Sequence, residues 1–159
     1  KISVVLGQPT SKFFEDWYPF FVIIFLEVIS LRVLSIKEPY ASLLKDNIKH
    51  IETRSWKTSY RGEIYIHASM GIDNDYLKKD GLDKYVNKDD FKCGYIIAKA
   101  NLVDCIYMDD EFLNKIRKDK LEYLCGDYRL GRYAWVLEDI KPISPIPAKG
   151  HLGIWNYKE

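Results

Sequence analysis

The chain predicts an α+β domain built on a small sheet that is closed or nearly closed, and three observations carry this. About six short strand-like runs follow one another along the sequence. Turns and insertions separate them, where a doubly wound parallel sheet would need regular crossover helices. One helical stretch, starting at Tyr40, is placed early, between the first two strands. The length of 159 residues suits one domain with one sizeable core.

In chain order, Pro19–Leu31 reads PFFVIIFLEVISL. Glu27 interrupts it, and it is shorter than the roughly 18 apolar residues a membrane span needs, so no membrane partner is expected. Glu15 and Asp16, with no small-residue cleavage site after the apolar run, fit a secretory leader poorly. Residues 1–30 are expected to be an extension outside a domain spanning 31–159. Arg32–Ile36 reads as a strand, and Pro39 suits the start of a helix. Tyr40, Leu43, Leu44 and Ile48 then make one apolar stripe, with Asn47 as a left-handed stop.

Ile48–Ser69 is the most informative stretch. In a strand, His50, Glu52, Arg54 and Trp56 share one face. Farther on, Ile64, Ile66 and Ala68 oppose Glu63, Tyr65, His67 and Ser69. The intervening WKTSYRG is rich in turn formers, which predicts a hairpin-like unit with a charged, aromatic face. Asp73–Asp90 reads as a surface insertion with one or two amphipathic helices broken at Gly81. Gly94–Asp104 is the clearest strand, with Ile96, Ala98, Ala100 and Leu102 on one face. Asp109–Lys118 reads as a short helix, acidic first and basic last. Arg132–Ile140 is a second clear strand, Pro142, Pro145 and Pro147 mark an irregular passage, and Gly153–Tyr157 is a closing strand.

Composition narrows the function classes. A net charge of +1 gives no global nucleic-acid signature. Leu31–Gly62 is locally basic, with seven Lys/Arg against three Asp/Glu, which a binding face and a solvated surface explain equally. Cys93, Cys105 and Cys125 are odd in number and widely spaced, expected as reduced, buried thiols of a cytoplasmic protein. His50, His67 and His151 have no ligand spacing, so no metal is expected. No phosphate-cradling glycine loop and no nucleophile–base order is present, and no cofactor is expected.

LSIKEPYASLLKDNIKHIETRSWKTSYRGEIYIHAS resembles the opening of an ASCH domain, in the PUA-like superfamily. The family signature Gly-x-Lys-x-x-Glu-x-Arg is met by Asn47, Lys49, Glu52 and Arg54, with asparagine replacing glycine at the turn. GYIIAKANLVD and GDYRLGRYAWVLEDIKPISPIPAKGHLGIW resemble the family's second half. The resemblance covers Leu31–Tyr157 and implies a small PUA-like β-barrel. One helix lies beside a ligand cleft lined by the signature, with inserted helices on the surface. It also implies RNA or a modified nucleoside as the partner, or hydrolysis of such a ligand by the same fold. The family's amidohydrolase type carries threonine where this chain has Glu52, so its nucleophile is missing here.

The residues themselves support either role. Lys49 and Arg54 can meet phosphate or a base carbonyl, and Glu52 can accept from an exocyclic amine. Glu52 and Arg54 can equally pair with each other and hold the cleft's shape. Trp56 and Tyr60 can stack bases or pack the barrel. Arg61 lies beside Tyr60 in the turn, and His67 can carry a proton, bind a ligand or be satisfied by backbone. In an enzyme, Lys49 and Glu52 would be the acid/base pair. A protein-interaction module, using the Asp73–Asp90 insertion, is a third class.

Overall fold

Alternation along the strands decides which face of the sheet is dry. Leu34 and Ile36 on the first strand and Ile64, Ile66 and Ala68 on the third are all buried, while Glu63 is exposed and Tyr65 only partly covered. In this computed structural model the described residues are 30–158, apart from 76, 77, 79, 80 and 83. Leu31–Tyr157 forms one compact unit. The expected extension, residues 1–30, lies outside the described residues except for Ser30.

The elements are β1 (Leu31–Glu38), α1 (Tyr40–Lys45), β2 (Ile51–Arg54), β3 (Gly62–Ile72), β4 (Tyr95–Tyr107), α2 (Asp110–Ile116), α3 (Lys120–Leu124), β5 (Tyr133–Pro147) and β6 (Ile154–Tyr157). They make one mixed six-stranded sheet in the order β2-β5-β4-β3-β1-β6. β1 runs parallel to β3, and the other pairings are antiparallel. The core lies on the face covered by α1, with Trp135 as its largest fully buried side chain.

Local chemistry sets several boundaries. The Glu38 carboxylate accepts from Ser42 N–H and Oγ–H, both 3.0 Å, and so caps the open end of α1. Burial lifts that carboxyl above its usual range, against the two bonds from Ser42. Asn47 takes the left-handed conformation (φ 57°), the turn that starts the signature. Asp109 caps α2 by accepting from Phe112 N–H at 2.8 Å.

Four expectations need correction. First, among the described residues the ladder does not close into a barrel, because β2 and β6 remain edges. The sheet nevertheless curls until β2 faces β1. Arg54 Nη2 donates to Ser35 O at 2.8 Å, joining strands four places apart in the order. Register shifts at three points between β4 and β5 supply the extra twist and move the buried parity from Leu102 to Cys105.

Second, β2 and β3 are not a hairpin. β2 pairs with β5, Glu52 opposite Trp135, and β3 pairs with β1 and β4. Alternation fixes a strand's faces but not its partner, and the seven-residue connection leaves the pairing to distant contacts. Third, Asp73–Asp90 shows no α-helix among the described residues, with a 3-10 turn at Lys88–Asp90; the expected helix falls in part on residues 76, 77, 79, 80 and 83, which lie outside the described residues. The segment is also not purely a surface feature, since Leu82 is fully buried against Leu43 and Cys125. Fourth, the proline passage continues β5. Only residues 133–136 pair with β2, so among the described residues 138–147 have β4 as their one ladder partner, and a strand with an unpaired side tolerates prolines. No local pattern in the sequence marks helix α3. The three cysteines are free, with Cys105 and Cys125 buried and Cys93 partly so.

Candidate functional site

The gap between β1 and β2, bridged by Arg54, opens into a cleft of roughly 1160 Å³, large enough for a nucleoside. Glu52, Thr53 and Arg54 of β2 form one wall, with Ser35, Lys37 and His67 of β1 and β3 opposite. Tyr40, at the start of α1, and Asp73 close one end. Asp127, Arg132 and the loop Ala148–Gly153 complete the lining.

Glu52 is the buried acid of this wall. Its Oε1 lies 3.1 Å from Arg54 Nε, and its Oε2 lies 3.8 Å from Lys49 Nζ. The Arg54 contact has ion-pair distance but not hydrogen-bond geometry, and that Nε has no other partner among the described residues. Lys49 is fully buried and does not line the cleft. Its ammonium donates to Ile51 O and stands 5.8 Å from the centre of the Tyr40 ring. The signature therefore stacks in depth, with Lys49 beneath Glu52 and Glu52 beside Arg54. Tyr40 donates to Asp73 at 2.9 Å. Burial first, and that carboxylate second, raise the phenol's pKa and keep it protonated.

A second buried carboxylate fixes the turn that carries these groups. Glu122 of α3 accepts from His50 N–H at 2.7 Å, from Ile51 N–H at 3.1 Å and from the Tyr128 hydroxyl at 2.7 Å. His50 and Ile51 separate Lys49 from Glu52, so α3 holds the signature from behind. Nothing in the local pattern around Glu122 marked it. A buried acid in a five-residue helix is recognised only once the turn it serves is in place.

His67 is 1 % exposed and its tautomer follows from its partners. Nε2 faces Ala148 O at 3.0 Å, and a carbonyl only accepts, so Nε2 carries the proton. Nδ1 then accepts from Ser35 Oγ at 3.1 Å, and Ser35 Oγ accepts from Trp155 Nε1 at 3.1 Å. The loop Ala148–Gly153 is thus tied to the cleft by a neutral imidazole. Burial pushes the His67 pKa below the usual 6.5 and nearby His151 pushes the same way, against the bond to Ala148.

The folded state therefore binds a proton less readily than the unfolded chain. This stabilisation is present above the ordinary histidine pKa and is lost as pH falls through it. Urea unfolding is expected to show a midpoint that falls between pH 7 and pH 5.5. In His67→Gln, whose amide can donate to Ala148 and accept from Ser35, the fall should be shallower. Equal pH slopes in the two proteins would remove His67 from the linkage.

The structure brings Glu52, Arg54 and His67 to one cleft and leaves the other sequence candidates away from it. Trp56 packs edge-on against Trp135, with ring centroids 4.6 Å apart, and its carbonyl accepts from Trp135 Nε1. Tyr60 donates to Glu63 O, and Arg61 binds Thr58 O, Tyr60 O and Asp104. These three hold the β2–β3 connection against the sheet. Tyr40, Asp127 and Arg132 were not anticipated in the site. The last two come from GDYRLG and its flank, legible in sequence only as a turn. Among the described residues no group of three His, Cys, Asp or Glu could hold a metal ion, and no helix is long and apolar enough to cross a membrane.

Residues 34–147 match the family model described as ASCH domain. Over 83 residues the chain is 32% identical to "Activating signal cointegrator 1" of Homo sapiens, and equally to that of Mus musculus. Each match covers 46% of this chain but only 14% of the relative, so the chain spans a small part of those proteins. A crystal structure of ASCH from Zymomonas mobilis is 20% identical, with TM-score 0.47 over 73% of this chain and 72% of that one. A mutant of a Zymomonas mobilis ASCH protein gives 21% identity and TM-score 0.46 over 73% of this chain and 74% of that one. With the family model matched over most of its length, this chain belongs to the ASCH domain family.

Proposed function

We propose that the cleft between β1 and β2 binds RNA or a modified nucleoside, with Glu52 and Arg54 reading the base. The supporting observation is the pairing of a buried carboxylate with a guanidinium on one wall of a nucleoside-sized cleft. A carboxylate accepts from an exocyclic amine and a guanidinium donates to a carbonyl, so the pair matches a base edge that carries both. Arg54 Nε, which has no hydrogen-bond partner among the described residues, fits the same reading. Family membership points to the same ligand class.

The hydrolytic reading has less support. It needs Lys49 and Glu52 to act on the substrate together, yet Lys49 is enclosed and its ammonium is held by the Ile51 carbonyl. In the binding reading Lys49 supports Glu52 from below. A role as a protein-interaction module has no feature of the cleft in its favour.

The test is a panel of nucleosides, modified nucleosides and short single-stranded RNAs screened by thermal shift, followed by titration of the hits and product analysis. Glu52→Gln keeps the shape and removes the charge. It is expected to weaken binding by roughly tenfold to a hundredfold, the equivalent of about 1.5–3 kcal/mol for a charged contact. No shift with any panel member, or unchanged affinity in Glu52→Gln, would move the site elsewhere. Turnover of a hit would favour the hydrolase.

A further inference from the structure

Deepening that reading of the cleft, we infer that its mouth takes a phosphate, so that the ligand is a phosphorylated nucleoside unit and not a free nucleoside. The inference comes from the charge inventory of the lining. Four cations face the cleft, Lys37, Arg54, Arg132 and Lys149, against the carboxylates Glu52, Asp73 and Asp127. Arg54 is matched to Glu52 at 3.1 Å. Arg132 stands 3.6 Å from Asp127, and Asp73 accepts from Tyr40. Lys37 and Lys149 are then the two lining cations with no carboxylate in ion-pair reach among the described residues. Both are exposed, as a cation reserved for an incoming anion must be.

Both lysines also rise from fixed backbone. The Lys37 stem lies along Gly71, where a Cβ would come within 3.3 Å of its Cγ, so the missing side chain gives the stem its track. Lys149 follows Ala148, whose carbonyl accepts from His67 and whose N–H donates to Gly94 O at 2.9 Å. It precedes Gly150, packed so closely on His67 that a Cβ there would meet the ring at 2.6 Å. Ordering the roots of the two lysines in advance lowers the entropy lost when they close on an anion. The division of labour is then a base against Glu52 and Arg54 inside, and a phosphate between two point charges at the rim.

The chemistry is shared by a free mononucleotide and by the phosphodiester of an RNA strand, and the experiment separates them. With the full chain, the four common nucleosides and any modified nucleoside that the screen yields would be titrated against their 5′-monophosphates. An eight-nucleotide single-stranded RNA would be titrated between 50 and 200 mM salt. A monophosphate binding at least about tenfold tighter than its nucleoside supports the inference, as the strength of charge-assisted contacts requires. In Lys37→Gln and Lys149→Gln that advantage should shrink. On RNA, each substitution should lower the slope of log affinity against log salt by about 0.7. Tight RNA with weak mononucleotides, still sensitive to both lysines, assigns the phosphate to a strand. Nucleoside and nucleotide binding equally, with both lysine variants unchanged, would overturn the phosphate site and leave the base-reading cleft intact. Absence of binding by every probe would overturn both.

Discussion

Glu122→Ala is expected to cost about 3–4 kcal/mol of folding stability, far more than a typical substitution. Glu122 is 5 % exposed, and its carboxylate accepts three hydrogen bonds, two from consecutive backbone amides of the signature turn and one from Tyr128. Alanine leaves those donors without an acceptor, and each buried, unsatisfied donor costs about 1–3 kcal/mol before relaxation. Tyr128 compounds the loss. Burial first and the Glu122 carboxylate second raise its pKa, so the phenol stays protonated and needs its acceptor. Glu122→Gln retains one acceptor oxygen and should lose less.

Urea denaturation measures the stability, and hydrogen exchange locates it. The amides of His50 and Ile51 should lose protection before those of β3 and β4. A loss under about 1 kcal/mol, with those amides still protected, would mean that water replaces the carboxylate and that α3 does not hold the turn.

Glu52→Ala is expected to cost about 3–5 kcal/mol, because it strands a buried ammonium. Lys49 is fully enclosed, and Glu52 is the only carboxylate in ion-pair reach of its Nζ among the described residues. The Ile51 carbonyl and the Tyr40 ring remain, but neither carries a full negative charge. The double variant Lys49→Met/Glu52→Ala should recover much of the loss, since a long apolar side chain fills the same space without a charge to solvate. A single substitution costing little, with no recovery in the double, would show that the cleft's water already solvates Lys49. Alanine at Lys49 or Glu52 confounds affinity with folding, and Glu52→Gln, which also leaves the buried Lys49 ammonium without its carboxylate, needs its stability measured beside its affinity, whereas Lys37→Gln and Lys149→Gln change exposed side chains.

What the sequence determined by itself was local. Alternation in Ile64–Ala68 and in Ile96–Leu102 identified the dry face, because side-chain direction has a period of two wherever a strand ends up. Asn47 marked a left-handed turn through chemistry confined to a few neighbouring residues. Glu52 and Arg54 were legible as neighbours for the same reason, two residues apart on one strand face. The tertiary structure alone decided the partners. β2 lies against β5 and not β3, so Trp56, Tyr60 and Arg61 brace the sheet and do not enter the cleft. Lys49 points into a space enclosed by α1 and β2, and no periodicity in its own segment could show that enclosure. Glu122 reaches the signature turn, and Arg132 and Lys149 the cleft beside it, from more than seventy residues away, through helix α3 and the loops around β5. Pairing and convergence depend on which distant surfaces bury each other, and a local pattern carries no record of that choice.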